Sequence, residues 1–156
     1  MKSIQFVYLL FLSTLFFSCT QEKVEKGVSY ELAQSRKESI RDIQYTLHFD
    51  IPANQNENIA GINTITFLYK KNTSKNLYLD FNEKADHLQE VKVNQNAVDV
   101  VFENEHIAIP DNLLVDGENK IEITFTAGDL SLNRNEEYLY TLFVPDRAST
   151  CFPGFD

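Results

Sequence analysis

The sequence predicts an all-β fold, an antiparallel sandwich or curved, saddle-like sheet of short strands. Three observations carry this. From residue 40 onward apolar side chains recur at every second position, turn-forming residues punctuate the chain at short intervals, and no helix-period stretch of useful length interrupts the series. With 43% hydrophobic residues in 156, the chain is long enough for one packed domain and too ordered in composition to be a disordered tail.

The chain opens with Lys2 and an apolar run over residues 4–17, the layout of an export signal and too short for a comfortable membrane span. The run ends in Leu15-Phe16-Phe17-Ser18-Cys19. A small residue followed by Cys at that place resembles the lipobox of bacterial lipoproteins, in which the Cys takes a diacylglyceryl group and becomes the new N-terminus. Residues 1–18 are therefore expected to be a signal peptide and Cys19 the lipid attachment site. The protein would then be exported and anchored to a bacterial cell membrane on its periplasmic or outer side. Several acyl chains, at about 0.8 kcal/mol per buried CH₂, hold a folded domain at a bilayer without any spanning helix. Cys151, the second of two cysteines, is then left as a packed thiol.

Residues 19–39 are polar and mixed in charge and read as a stalk, with a helical turn over residues 30–36. The domain proper is expected over residues 40–156. Its first strand, IQYTLHFDI, puts Ile43, Tyr45, Leu47, Phe49 and Ile51 on one face and Gln44, Thr46, His48 and Asp50 on the other. PANQNEN turns the chain. Ile65, Phe67 and Tyr69 alternate in the second strand, and Leu77, Leu79 and Phe81 in the third. Short strands are expected over residues 91–93, 98–102 and 107–109, and the Asp116-Gly117 turn introduces Ile121, Ile123 and Phe125.

The chemistry-bearing residues form no recognisable machinery. A net charge of −9 without any basic stripe argues against a nucleic-acid partner. His48, His87 and His106 stand far apart, with no His at i+3 or i+4 and no Cys partner, so no zinc spacing can be written. His48 and Asp50 share a strand face and read as solvated. DNLLVDGEN gathers Asp111, Asp116 and Glu118, but Leu113, Leu114 and Val115 break the calcium-loop pattern, and a hairpin turn is expected instead. Asn72-Thr73-Ser74 fits a glycosylation sequon and reads as a turn.

The order of strands and above all the closing run, YLYTLFVPDRASTCFPGFD, resemble the N-terminal β domain of the M1 family of zinc aminopeptidases. In that family the segment commonly reads Gln-Phe-Glu-Pro, an Ala-Arg-Arg core, then Phe-Pro-Cys-Phe-Asp-Glu-Pro. Phe143, Pro145, Ala148, Phe152, Pro153, Phe155 and Asp156 fall on the pattern without a gap. Leu142 stands where the family places a Gln that reaches toward the substrate's amino end, Val144 stands at the Glu two places on, and Gly154 replaces the usual Cys. Neither Leu142 nor Val144 can accept a hydrogen bond from an ammonium group. The resemblance implies a truncated domain, its sheet incomplete at the C-terminal end and its own role structural. In a parent enzyme it would cap one side of the cavity from which N-terminal residues of peptides are removed. It also implies that zinc and the His-Glu-x-x-His helix belong to a missing catalytic domain, so that this chain alone holds no metal, no cofactor and no catalytic residue. The alternative from another class is a stand-alone, lipid-anchored surface module of the same fold that binds a glycan or a protein.

Overall fold

The computed structural model describes residues 24–71 and 75–155. The lipidation candidate Cys19, the sequon at 72–74 and Asp156 lie outside the described residues.

The polar segment before the domain contains one helix, α1 (Tyr30–Ser39), longer than the turn expected there. Ser29 caps it, its hydroxyl accepting from the Leu32 backbone N–H at 3.1 Å, which satisfies one of the orphan donors of the first turn. The helix stops where Ile40 adopts extended backbone and starts β1 (Ile40–Asp50). Strands β2 (Ala60–Tyr69), β3 (Leu77–Asp80), β4 (Leu88–Val93), β5 (Asn96–Ala97), β6 (Val101–Glu103), β7 (His106–Ile109), β8 (Gly117–Thr126), β9 (Leu132–Arg134) and β10 (Leu139–Thr141) follow.

They form a five-stranded antiparallel sheet in the order β1-β2-β8-β4-β5, a three-stranded sheet in the order β3-β7-β6, and a β9–β10 ribbon. The all-β antiparallel sandwich is as the alternation predicts. Two tight hairpins punctuate it: Asn94-Gln95 and Asn104-Glu105 both take positive φ at two successive residues, which the twist of a two-residue hairpin demands and which Asn tolerates at the first position.

The core lies between the sheets. Ile65 and Phe67 of β2, Ile121, Ile123 and Phe125 of β8, and Val91 and Val93 of β4 face Leu79 and Phe81 and the β7 residues Ile107 and Ile109. Phe125 is its centre, edge-on to Phe81 at 5.8 Å and to Phe49 at 6.0 Å between ring centroids.

Three expectations are corrected. β1 is an edge strand, and its apolar face is covered less than the alternation implies: Ile43, Tyr45 and Leu47 stay 36–39% exposed. The strand expected over 98–102 shrinks to β6. Val98 and Val100 still pack against the core, but from irregular backbone, and spacing by two cannot tell an extended chain from a paired one. DNLLVDGEN is no hairpin, since it leads from β7 in one sheet to β8 in the other. Leu114 plugs the core there, and Asn119 braces the loop by accepting from the Val115 N–H at 2.9 Å and donating to the Val115 carbonyl at 2.7 Å.

Candidate functional site

The site begins with the run after β9, where only Leu139 and Phe143 turn inward between exposed neighbours. Leu139 and Phe143 pack against the core, while Tyr138, Tyr140, Leu142 and Val144 point outward at 55, 54, 56 and 71% exposure. The two tyrosine rings lie 6.0 Å apart. Arg134 holds the base of the ribbon, donating to the carbonyls of Pro52, Asn54 and Glu57. The two residues singled out on the sequence, Leu142 and Val144, therefore belong to one exposed apolar stripe. Leu142 and Val144 can offer contact area but neither proton transfer nor a charge-assisted bond.

Beyond the stripe the chain turns inward. The Asn82 N–H donates to the Ser149 carbonyl at 2.8 Å, and Asp80 and Gly154 exchange two backbone bonds at 2.7 and 3.0 Å, so the segment is tied to the end of β3 at Ser149 and Gly154. From the larger sheet, Asn63 donates its side-chain amide to the Pro153 carbonyl at 2.7 Å, and Tyr45 Oη accepts from the Phe155 N–H at 2.8 Å. Phe155 lies edge-on to Phe67 at 5.9 Å, with the Arg36 guanidinium over its ring at 5.7 Å, while Phe152 meets Phe143 edge-on at 5.4 Å. The Phe-Pro-Gly-Phe segment thus closes the gap between the two sheets.

A Cβ built on Gly154 would meet only ordinary contacts, the nearest being the Tyr45 ring at 3.4 Å. Glycine is not required there by space. Gly154→Ala is expected to shift stability by less than about 0.5 kcal/mol in urea denaturation. A loss of several times that would mean that the segment packs more tightly than these contacts describe. Cys151 next to it is fully buried; desolvation, with the charges of Glu83 and Asp129, outweighs a Ser131 hydrogen bond and pushes its thiol up to about 11. It is inert packing.

Behind Phe155 lies a buried ionic cluster with no sequence signature. Arg36 of α1 grips Asp80 at the end of β3 through Nη1 at 2.7 Å and Nη2 at 2.6 Å, and also donates to the Tyr78 carbonyl. His106, first residue of β7, places Nδ1 2.8 Å from Asp80 Oδ1. All three side chains are at most 7% exposed. The carboxylate is shared by the guanidinium and the imidazole, an arrangement that fastens α1 to the smaller sheet. His87 pairs with Glu83 at 3.2 Å, and His48 lies on the exposed face of β1. Among the described residues no group of three or more His, Cys, Asp or Glu side chains is placed to hold a metal ion.

No family model matches the chain, and no curated protein matches it in sequence. Solved structures do match in shape. Native yeast LTA4 hydrolase aligns at a TM-score of 0.58 and 16% identity over 77% of this chain and 21% of its own. The same enzyme in complex with bestatin aligns at 0.60 and 17%, over 83% and 25%. Native leukotriene A4 hydrolase from Saccharomyces cerevisiae aligns at 0.58 and 17%, over 89% and 24%. The chain spans a quarter or less of the length of these neighbours, and at such identities the likeness is one of fold: this chain has the fold of one part of yeast leukotriene A4 hydrolase.

Proposed function

We propose that this chain is the N-terminal β domain of a lipid-anchored, M1-type zinc aminopeptidase. Its role would be to brace one side of a peptide-binding cavity that another domain supplies with metal and general base. The observation that carries this reading is the seating of residues 152–155. These are the residues with the densest resemblance to the family's Phe-Pro-x-Phe run, and they are bonded to both sheets through Asp80, Asn63 and Tyr45. A chance match would have no reason to fall on the segment that closes the core. The fold likeness to leukotriene A4 hydrolase, itself an M1 enzyme, supports the same reading.

In such a protein zinc, held by two His and a carboxylate, activates the attacking water. What the present residues contribute is architecture. Leu142 and Val144 would turn an apolar stripe toward whatever lies beside them, so recognition of a substrate's free amino group would rest on other residues. Cys19 would carry the lipid and place the domain at an exported membrane surface, where its net negative charge keeps it from lying against anionic headgroups.

Two measurements test this. Antibody against the domain should detect, in membranes of the source cells, a species several-fold larger than 18.0 kDa that cleaves an aminoacyl chromogenic substrate and loses activity to a chelator. The 156-residue chain alone should release no product. A sole 18-kDa species without peptidase activity would favour the surface-module reading, for which the outward tyrosine pair of Tyr138 and Tyr140 supplies an aromatic contact patch. Separately, Cys19→Ala should move the protein out of the detergent-soluble membrane fraction or leave its signal uncleaved. Normal processing with unchanged membrane association would sink the lipid anchor.

A further inference from the structure

Residues 24–28 precede α1 and lie along the β6–β7 hairpin as a strap. Three contacts hold them. Asn104 at the hairpin turn donates Nδ2 to the Val24 carbonyl at 2.8 Å. Lys26 pairs with Glu105 at 2.9 Å, with the lysine side chain 71% exposed. His106 places Nε2 2.9 Å from the Glu25 carbonyl and 3.1 Å from the Gly27 carbonyl. Only this last contact is made by a side chain wholly shut from water, at 1% exposure.

The chemistry of that imidazole is constrained from both sides. Nε2 faces two carbonyl oxygens, while Nδ1 lies 2.8 Å from Asp80 Oδ1 without hydrogen-bond alignment, and none of these groups can donate. The two carbonyls ask Nε2 to carry a proton, and the carboxylate beside Nδ1 favours the ring's positive charge, a pairing that the imidazolium meets in full. The titratable and charged groups around it come from every element packed against it: Asp80 and the edge-on Tyr78 ring on β3, Arg36 on α1, Glu103 opposite it in register on β6, and the Glu105–Lys26 pair at the hairpin tip. Burial opposes the charge, as does Arg36, but the Asp80 contact and charge and the Glu25 carbonyl outweigh them and hold the His106 pKa above its ordinary value of 6.5.

We propose that His106 is a proton-operated latch for the strap formed by residues 24–28, which the imidazolium fastens and the neutral ring releases. When the proton leaves, one nitrogen must keep its hydrogen. Asp80 is fixed by two bonds from Arg36, so the remaining N–H stays on Nδ1 beside the carboxylate. Nε2 then presents a lone pair to two carbonyl oxygens, and attraction becomes repulsion. Because the Glu25 carbonyl raises the pKa of the latched ring further than Asp80 alone does, latching is complete below the unlatched pKa and is lost as pH climbs through the latched one. Each unit by which the latched pKa exceeds the unlatched one corresponds to a tenfold change in strap opening.

The test uses the purified full chain. The His106 ring is titrated by NMR, and amide hydrogen exchange over residues 24–28 is followed from pH 6 to pH 9 after correction for intrinsic exchange. Strap protection is expected to fall with the fraction of His106 deprotonated, up to tenfold per pH unit, while β2 and β8 amides keep theirs. Asn104→Gly, which preserves the turn and removes the Val24 bond, should lower protection by one factor at every pH and leave the pH dependence intact. His106→Gln should abolish the pH dependence. Should that variant fail to fold, the wild-type titration still decides. Strap protection that stays flat while His106 loses its proton, or a His106 that titrates at or below 6.5, overturns the latch.

Discussion

Asp80→Ala is expected to destabilise the protein by about 3–5 kcal/mol, the usual cost of stranding a buried charge. The carboxylate takes two bonds from Arg36 and lies against the His106 ring, and both partners are buried, at 6% and 1% exposure. Against a total stability of ~5–15 kcal/mol for a domain of ordinary size, such a loss approaches unfolding. It should appear as a large drop in urea midpoint with unchanged slope. Arg36→Met combined with Asp80→Ala should recover part of the loss, because the stranded guanidinium is gone and an apolar chain of similar length fills its place. A single-variant loss under about 1 kcal/mol would mean that Arg36 swings into water and that the cluster is a surface pair, whose typical worth is that small.

This cluster marks where the sequence stopped being informative. Period-two alternation located β2, β3 and β8 because each has one face on the core, and it located β1 too, although most of that strand's apolar face stays exposed. In LYLDF the same alternation assigns Leu77, Leu79 and Phe81 to the core and leaves Asp80 looking solvated. It is buried because α1 covers that side of β3, and α1 reads from its polar composition as part of a stalk. Partners 44 residues apart on a helix and a strand leave no spacing to detect. Asn63 was more legible in principle, as a polar residue at a core position of β2, and it turns out to anchor Pro153. The resemblance in the last residues drew attention to Leu142 and Val144, whereas the bonds to both sheets are made by residues 153–155, just downstream.

Phe125→Ala should be the other severe variant, at about 3–5 kcal/mol, and it carries a coupling that separates shape from mere hydrophobicity. The ring is fully buried between Phe49 and Phe81 and lies on the Cα of Gly61, its cross-strand neighbour. A Cβ at position 61 would run into the Phe125 ring, so Gly61→Ala forces the ring or the strand to shift, at about 1–3 kcal/mol for overpacking. In the double variant the clash has no ring to meet, and the added methyl partly fills the space the ring left. The two losses should therefore fall short of adding by at least about 0.5 kcal/mol, the margin beyond which neighbouring sites are coupled. Urea denaturation of the four proteins of this cycle measures the term directly. Strict additivity would show that Gly61 and Phe125 do not touch in solution, and with that contact would go the register that pairs β2 with β8.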